Sequence, residues 1–435
     1  TAEILKDAKT ANIDWRQFEG QSVRLLLYGL PWQAEFEKHI PAFEELTGIK
    51  VVTEVYEMAA MRNKRMLDMV SKAGQYDVWA YMPPNDMLEY YYAGWVEPID
   101  SYLSNPKLTD SKWYQPDDLV DSAKQQGTVE GHLTYVPTTL DTVFLMYRED
   151  LFQKYNIKVP ETWDEMWDAA KTIKAKEPKV FGIVLRGEGY SAATTFAQFL
   201  KSTGVEWLSP TYYKPGGPLP KAVFNDPRAA KALEFYTSIL RQFGPPGISS
   251  YTWQDSNRLF MDGRAAMLVE DNVFAATFED AAQSKVAGKV GYAEFPRPSG
   301  KWGQGKSRPA VAGYGLAMSS QSKHKGAAWL LMQFASSRLV SREIGKGGSP
   351  MARKSVWKDP AVRKAFNRED YFDASLASFA VGDPFYMPRV RAQAEVRKAI
   401  GMAISKTMEG ADPQSALNEA AKEAQRIIDS TEKKD

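Results

Sequence analysis

Short apolar runs alternate with helical periodicity over the first 82 residues, and this alternation limits the possible folds more than any other feature. The apolar runs are Val23–Tyr28, Lys50–Tyr56 and Tyr76–Met82. Runs of this length are typical of strands buried on both faces of a parallel sheet. After the first run, apolar residues spaced by three or four from Trp32 to Leu46 predict one helix. The order strand, helix, strand, helix, strand predicts a parallel, doubly wound α/β sheet.

The same alternation returns after residue 140 without repetition of the sequence. Thr162 and Glu165 have the spacing of a capping box, in which each side chain bonds the backbone N–H of the other residue. A helix should start there, and Asn225-Asp226-Pro227 should start another. Further strands are predicted at Thr142–Arg148, Phe181–Arg186, Ala265–Asp271 and Tyr314–Ser320. Late helices are predicted over about Lys323–Arg338 and Asp412–Asp429.

Charge and residue content exclude several classes of function. Of 435 residues, 55 are Lys or Arg and 54 are Asp or Glu, so no net charge draws the chain to nucleic acid or anionic lipid. Cys is absent, which rules out disulfides, thiolate metal sites and a cysteine nucleophile. No apolar run is long enough to span a bilayer. Because the chain starts at Thr1 rather than Met, we expect that an export signal preceded it. The histidines are isolated in sequence, so we expect no metal site at His39, His132 or His324.

The motifs that would indicate catalysis fail in their context. Gly300–Ser307 matches the phosphate-loop pattern GxxxxGK[ST], which requires a helix directly after the loop. Arg308-Pro309 and then a predicted strand follow instead, so we interpret the match as a surface loop. Glu270 and Asp271 are neighbours on a predicted strand and should point to opposite faces, which argues against a catalytic dyad. We therefore expect no catalytic residue and no cofactor.

Aromatic and polar residues are concentrated where the predicted strands end. Ligands of open α/β sheets bind outside the carboxyl ends of the strands. Rings that cover C–H faces, together with planar polar side chains that bond hydroxyl pairs, would suit a carbohydrate-like solute. For any single ring, packing in the core is an equal alternative. The strand ends concerned are Tyr28–Trp32, Tyr81–Asp86, Arg186–Tyr190 and Glu270–Asn272.

Six segments in a fixed order carry a family resemblance. The most specific is Leu133–Met166, which combines a strand with the helix start Pro-Glu-Thr-Trp-Asp-Glu. The others are Ile40–Val51, Tyr76–Asp100, Phe260–Asp271, Gly313–Ser320 and Lys325–Ser336. In this order they resemble the family 1 extracellular solute-binding proteins, the maltose-binding class that serves ABC sugar importers.

The resemblance implies a two-lobed periplasmic-binding-protein fold of type II. Each lobe would be a mostly parallel sheet flanked by helices, and crossing hinge strands would connect the lobes. The ligand would bind in the cleft between the lobes, which would close on it. The implied boundaries are 1–139 and 313–350 for the N-terminal lobe, and 140–312 and 351–435 for the C-terminal lobe.

The resemblance also implies the ligand contacts, segment by segment. The N-terminal lobe would contribute the segment Gly29–Trp32, and within it Pro31 and Trp32, together with Trp79, Asn85 and Asp86. The C-terminal lobe would contribute Glu188, Tyr190, Trp253, Asp271, Asn272 and Phe274. The crossing strands would add Asp141, Gly313, Tyr314 and Arg353. The family commonly has a Trp where Val273-Phe274 stand, so we expect a small sugar or polyol rather than a long oligosaccharide.

The implied function is that of the extracytoplasmic solute-binding subunit of an ABC importer. Such a subunit binds a carbohydrate or sugar alcohol and delivers it to a membrane permease without changing it, so the chain would not be an enzyme. We expect a periplasmic monomer that binds no nucleic acid. Two alternatives stay open. One is a glycosidase or lyase with an aromatic cleft. The other is a binding protein for a non-carbohydrate or phosphorylated solute, because Arg186 and Arg353 can bond anionic groups, although ordinary ion pairs are the better explanation of both.

Overall fold

The computed structural model describes residues 2–209 and 217–432, in which the chain forms two compact units. The first unit comprises Thr1–Asp141 and Ala312–Arg368. The second comprises Thr142–Val311 and Glu369–Asp435. The chain therefore passes from one unit to the other three times.

Helices make up most of the regular structure in the described ranges. The α-helices are α1 (Ala2–Ala8), α2 (Pro31–Glu37), α3 (Ile40–Thr47), α4 (Met58–Ser71), α5 (Pro83–Tyr92), α6 (Asp100–Leu103), α7 (Ser111–Tyr114), α8 (Asp121–Gln126), α9 (Glu149–Lys154), α10 (Trp163–Lys176), α11 (Gly189–Ser202), α12 (Pro227–Phe243), α13 (Trp253–Met261), α14 (Ala275–Glu279), α15 (Lys325–Ala335), α16 (Arg338–Gly345), α17 (Lys354–Lys358), α18 (Pro360–Phe366), α19 (Glu369–Val381), α20 (Gln393–Met408) and α21 (Pro413–Thr431). Short 3₁₀ helices lie at Pro116–Asp118, Ile248–Ser250, Asn272–Phe274 and Gly300–Trp302.

The strands are β1 (Ser22–Leu27), β2 (Lys50–Val55), β3 (Val78–Tyr81), β4 (Thr128–Val129), β5 (His132–Leu133), β6 (Val136–Arg148), β7 (Leu208–Ser209), β8 (Lys221–Ala222), β9 (Met267–Asp271), β10 (Val290–Ala293) and β11 (Val311–Met318). β6 has 13 residues and runs from the first unit into the second without interruption.

The first unit is built on a sheet in the order β2-β1-β3-β11, with the N-terminal part of β6 beside β11. β1 pairs in parallel with β2 and β3, while β11 runs antiparallel to β3. All four residues of β3 are buried, and so are Leu25–Leu27 of β1, as expected for parallel strands covered on both faces. The doubly wound sheet predicted from the first 82 residues is confirmed.

The sheet of the second unit differs from the predicted mostly parallel arrangement. β6 lies in its middle, and both β9 and β10 pair antiparallel to it. The predicted strand Phe181–Arg186 forms parallel bridges at Phe181 and Val184 instead of a continuous ladder. The reason lies in its other backbone bonds. Gly182 N–H donates to the carbonyl of Phe243, and the carbonyl of Arg186 accepts from the hydroxyl of Tyr236.

The predicted helix from Trp32 to Leu46 is divided into α2 and α3. Pro41 is the second residue of α3 and has no N–H to donate to a preceding turn, so one helix cannot run through Lys38 and His39. The predicted start of α10 is confirmed, because Thr162 Oγ1 accepts from the N–H of Glu165 at 3.3 Å.

Two boundaries of the units lie close to the expected ones, at 141 against 139 and at 311 against 312. The third differs, since residues 351–368 belong to the first unit rather than to the C-terminal lobe. Arg353 gives the physical reason. Its guanidinium donates to the carbonyls of Ser336 and Gln115 at 2.5 and 3.1 Å and pairs with Asp118 at 3.3 Å, all within the first unit.

The phosphate-loop match has no helix after it, as the sequence indicated. Gly300–Trp302 forms a 3₁₀ turn, and the next regular element is β11. Among residues 2–209 and 217–432, no helix is long and apolar enough to cross a membrane. In the same ranges, no group of three or more His, Asp or Glu side chains is placed to hold a metal ion.

Candidate functional site

The first unit has a charged cluster at the carboxyl edge of its parallel strands. Asp86, in the first turn of α5, forms ion pairs with Arg62 and Arg65 of α4. Arg65 is 1% exposed, and its Nη2 lies 2.5 Å from Asp86 Oδ2. The same guanidinium donates to the Tyr90 hydroxyl at 2.9 Å and to the Ala80 carbonyl at 3.1 Å. The cluster is therefore a built feature of the fold rather than a set of loose surface charges.

Two guanidinium groups and one carboxylate give this cluster an excess of positive charge. Burial favours the neutral form of Asp86, but Arg62 and Arg65 outweigh burial and hold the pKa of Asp86 below its ordinary value. Burial raises the pKa of the neighbouring Tyr28 above its ordinary value. Arg62 is one quarter exposed, so the edge of the cluster reaches solvent. We name Tyr28, Arg62, Arg65, Asn85 and Asp86 the first surface.

Asn85 and Asp86 of the first surface were predicted from sequence as ligand contacts, whereas the two arginines were missed. The Asn85 amide donates to Met82 Sδ at 3.0 Å, and its Oδ1 is buried without a hydrogen-bond partner among the described residues. The signal for Arg62 and Arg65 was their position on the helix that follows β2, since helices after parallel strands start at the same sheet edge.

The predicted aromatic contacts of the first unit are core side chains. Trp32 and Trp79 are fully buried, and neither indole N–H has a hydrogen-bond partner in the part of the chain described. Pro31 is the first residue of α2 and is partly exposed. Within the first unit, neither indole ring is displayed on the surface.

β6 and β11 bring the predicted crossing residues into neighbouring strands. A Cβ at Gly313 would lie 2.4 Å from the Tyr135 hydroxyl, so glycine is required there for packing. The Tyr314 carbonyl accepts from Thr138 Oγ1 at 3.3 Å, and its side chain is partly exposed. Asp141 is completely buried. These three residues lie along the strands through which the first unit connects to the second.

Arg353 has a structural environment within the first unit. Its guanidinium lies 4.9 Å from the centre of the Tyr114 ring in addition to pairing with Asp118. Burial lowers the pKa of Arg353 below its ordinary value. These contacts fix α17 against the preceding segment, and we leave Arg353 out of the first surface.

The second unit has a charged cluster at the end of β9. Arg186 Nε donates to Glu270 Oε2 at 2.9 Å, and Arg186 Nη2 pairs with both Glu270 Oε1 and Asp271 Oδ2, the latter at 2.9 Å. The prediction that Glu270 and Asp271 face opposite sides is therefore wrong. Asp271 is the last residue of β9, and a 3₁₀ turn follows it directly, so the strand pleat no longer separates the two carboxylates.

Two carboxylates around one guanidinium give this cluster an excess of negative charge. Burial, followed by the charge of Glu270, raises the pKa of Asp271 to about 7, against the lowering effect of Arg186. The side chain of Glu270 is 1% exposed and that of Asp271 is 14% exposed. Asp271 is thus the member of the pair that reaches solvent.

Two aromatic rings of the second unit stack on each other, and one of them, Phe274, follows Asp271 by three residues. The rings of Trp253 and Phe274 are 5.1 Å apart with an angle of 20° between their planes. Both side chains are partly exposed. Trp253 is the first residue of α13, which a capping box of Thr252 and Asp255 starts, so its position is fixed by the helix end.

Glu188 and Tyr190 lie at the start of α11. The Glu188 carboxylate accepts from the N–H of Tyr190 at 3.3 Å and of Ser191 at 2.8 Å, and it remains partly exposed. The Arg397 guanidinium of α20 lies 4.0 Å from the centre of the Tyr190 ring. We name Arg186, Glu188, Trp253, Asp271 and Phe274 the second surface.

Two buried amide side chains of the second unit differ in their hydrogen bonding. Asn272, predicted as a ligand contact, is completely buried; its Oδ1 accepts from Thr142 N–H at 3.0 Å and its Nδ2 donates to Ser375 at 3.1 Å. Asn257 was missed. It lies one helical turn after Trp253, is 4% exposed, and neither its Oδ1 nor its Nδ2 has a hydrogen-bond partner within the described ranges. Its spacing of four residues from Trp253 was the available signal.

The second surface combines stacked rings, carboxylate acceptors and a guanidinium. Hydroxyl groups can both donate to carboxylates and accept from guanidinium N–H groups, while ring faces cover C–H groups. The arrangement is suited to holding a molecule with several hydroxyl groups.

Two α/β units connected by three chain crossings define the class of the two-lobed solute-binding proteins. Residues 29–338, well over half of the chain, match the model of the bacterial extracellular solute-binding proteins, and the chain belongs to that family.

Three relatives illustrate the similarity. The mannitol-binding protein of Pseudomonas aeruginosa is 27% identical over 320 residues, which cover 72% of this chain and 69% of that protein. An ABC transporter solute-binding protein of Agrobacterium radiobacter K84, solved in complex with ribitol, has a TM-score of 0.81 at 26% identity and covers 94% of this chain and 99% of its own. A solute-binding protein of Agrobacterium vitis S4, solved with bound D-mannitol, has a TM-score of 0.77 at 26% identity and covers 94% and 98%.

Proposed function

We propose that this protein is the solute-binding subunit of an ABC importer and that its solute is a small polyol or sugar. It delivers the solute chemically unchanged to a membrane permease, and it works as a monomer outside the cytoplasm. The relatives support the class of solute, because their descriptions name mannitol and ribitol. The expected absence of catalysis agrees with the family, whose members are described as binding proteins.

The stacked rings of Trp253 and Phe274 beside Asp271 carry this proposal. Ring faces bind the C–H groups of a polyol, and the neighbouring carboxylates accept from its hydroxyls. Phe274 offers a smaller face than the Trp common in the family, which favours a solute of about one sugar unit. By itself, the first surface carries the partly exposed Arg62, whose guanidinium can donate to hydroxyl groups, and Asn85 Oδ1, which is buried without a partner among the described residues.

A thermal-shift panel tests the proposal. The panel contains linear polyols of four to six carbons, hexoses, maltose and phosphorylated sugars, and the protein is first unfolded and refolded to remove any carried-over solute. A solute at about 100 times its Kd should stabilise the protein by about 2.7 kcal/mol. We expect a shift with a polyol or monosaccharide that is recovered unchanged. The proposal is contradicted if no neutral polyol or sugar raises the melting temperature, or if the bound compound is chemically converted.

The variant Trp253→Ala tests whether the stacked rings bind the solute. We expect its affinity for the best panel compound to fall by about fivefold or more, because a ring contact contributes about 1 kcal/mol or more. Trp167→Ala is the matched control, since Trp167 is also partly buried in the second unit and packs edge-on against Phe243 at 5.0 Å. Both variants should lower the melting temperature, but only Trp253→Ala should weaken binding. If titration calorimetry gave Trp253→Ala the same affinity as the unmodified protein, Trp253 would not contact the solute.

A further inference from the structure

The carboxylates of Glu270 and Asp271 both bond the Arg186 guanidinium, but they accept different numbers of hydrogen bonds. Glu270 accepts three hydrogen bonds, from Nε and Nη2 of Arg186 and from the backbone N–H of Asp271 at 2.9 Å. Asp271 accepts from Arg186 Nη2 at 2.9 Å. Among the described residues, Asp271 is therefore the carboxylate of the pair with fewer hydrogen-bond donors.

Among residues 2–209 and 217–432, the other groups around Asp271 donate no further hydrogen bond to its carboxylate. On β9 the facing charge is Glu270, and on the segment before α11 it is Arg186. From α12, the Tyr236 hydroxyl donates to the backbone carbonyl of Arg186. β6 presents Val143 opposite Asp271 in the antiparallel ladder. Burial and the charge of Glu270 raise the pKa of Asp271 to about 7, so near neutral pH this carboxyl is divided between its two forms.

Of the two carboxylates, that of Asp271 is the more exposed to solvent, so a solute can reach Asp271 and not Glu270. Glu270 is 1% exposed, whereas Asp271 is 14% exposed and precedes Phe274 of the ring stack by one 3₁₀ turn. A solute hydroxyl placed on the rings can therefore donate to Asp271. An ionised carboxylate with a single donor has room for two or more further hydrogen bonds.

We propose that Asp271 selects an uncharged, hydroxyl-bearing solute by accepting its hydroxyl hydrogens as a carboxylate, so that binding expels a proton. This inference rests on the proposed function and narrows its class of solute. In the free protein, the neutral form of the Asp271 carboxyl carries one proton. On binding, this proton passes to solvent, and the resulting carboxylate accepts hydrogen bonds from the hydroxyl groups of the solute. An anionic solute is rejected, because a phosphate or carboxylate would meet a cluster of two carboxylates and one guanidinium.

The selection has a measurable dependence on pH. If only the ionised form binds, the affinity follows the ionised fraction of Asp271, which rises from about one tenth at pH 6 to about nine tenths at pH 8 for a pKa near 7. We therefore expect the affinity for an uncharged polyol to increase about tenfold between pH 6 and pH 8.

Titration calorimetry with D-mannitol, ribitol and mannitol 1-phosphate on the full chain tests the inference. Titrations run at pH 6, 7 and 8, and those at pH 7 are repeated in two buffers of different ionisation enthalpy. We expect tighter polyol binding at pH 8, release of about half a proton at pH 7, and no binding of the phosphate. A flat pH profile without proton release, or tighter binding of the phosphate than of the polyol, overturns the inference.

Variants locate the effect. Asp271→Asn should abolish the pH dependence, whereas Asp271→Glu keeps a titrating carboxyl and should retain it. Asp262→Asn is the control, since Asp262 caps the far end of α13 and pairs with Lys285 at the surface. It should leave the pH profile unchanged. A pH dependence that persists in Asp271→Asn contradicts the assignment, and the two-buffer measurement on the unmodified protein stands even if that variant does not fold.

The two proposals fail in different ways. If neither polyol binds at any pH and the full panel is silent, the proposed function is wrong. If a polyol binds equally at pH 6 and pH 8, the proposed function stands and the role of Asp271 is wrong.

Discussion

Buried charge is the residue-level feature with the clearest consequence for stability. Arg65 is almost completely excluded from solvent, and Asp86 is the carboxylate that neutralises it. A buried ion pair adds little compared with apolar packing, but removal of one partner leaves the other charged and uncompensated. The first surface is therefore sensitive to changes that keep its shape and remove its charge.

Asp86→Asn should destabilise the first unit by about 3–5 kcal/mol, because it leaves Arg65 buried beside a neutral amide. Urea unfolding followed by Trp fluorescence measures the change. Glu35→Gln is the control: Glu35 pairs with Lys38 at 2.6 Å, but both side chains are largely exposed, and the loss should stay within about 1 kcal/mol. Equal losses for the two variants would mean that burial of Arg65 does not depend on its partner.

Single residues also show how far a sequence can predict a site. Trp253 and Phe274 were predicted separately, and the structure stacks them. The contact of Arg186 with Glu270 joins residues 84 positions apart and depends on where β9 ends, which hydrophobic patterns locate poorly. Trp32 and Trp79 illustrate the opposite problem, since a ring at a strand end has the same pattern whether it packs in the core or faces a ligand.

At the scale of elements, prediction succeeded where one local cause fixes the structure. Apolar runs located β1, β2 and β3, and capping residues located the starts of α10 and α12. Phe181–Arg186 failed as a strand because bonds to Phe243 and Tyr236, from elsewhere in the fold, occupy part of its backbone. Such competition from distant elements leaves no local trace in the sequence.

The capping box of α10 provides a test at this scale. Thr162→Ala removes the acceptor for Glu165 N–H and should destabilise the second unit by about 1 kcal/mol. Thr172→Ala is the matched control in the middle of the same helix, where the hydroxyl donates to the carbonyl of Asp168 at 2.8 Å and no helix end depends on it. That variant should change stability little, since Ala favours helices. Equal shifts of the urea midpoint would show that the cap is not stabilising.

For the whole molecule, the decisive feature is that neither unit is a continuous stretch of chain. The first unit takes β11 and α15–α18 from beyond residue 311, and β11 pairs with β3 through Ala317 and Trp79. Boundaries of this kind follow from family resemblance, whereas hydrophobic periodicity alone identifies strands without assigning them to a unit. The structure groups residues 351–368 with the first unit, where the resemblance implied the C-terminal lobe, and the contacts of Arg353 with Gln115 and Asp118 that hold them there are not local.

A rebuilt first unit tests this organisation. Residues 1–141 alone lack β11 and should show no cooperative unfolding. The same residues joined to 312–368 by a short Gly/Ser linker should unfold cooperatively. The linker is feasible because Thr138 Oγ1 lies 3.3 Å from the Tyr314 carbonyl, so the two ends are close. Urea unfolding and the dispersion of amide NMR signals compare the two proteins. A fragment 1–141 that is as well folded as the joined chain would contradict the division.

The interleaved units also set an order of events during biosynthesis. When the ribosome has synthesised β6, neither unit is complete. The first unit becomes complete only after residue 368, when most of the second unit has also been synthesised. The second waits for α21, which ends at Thr431. Nascent chains usually fold one domain after another from the N-terminus. We therefore expect this chain to stay unfolded until late in its synthesis, and an unfolded chain can pass through a narrow channel.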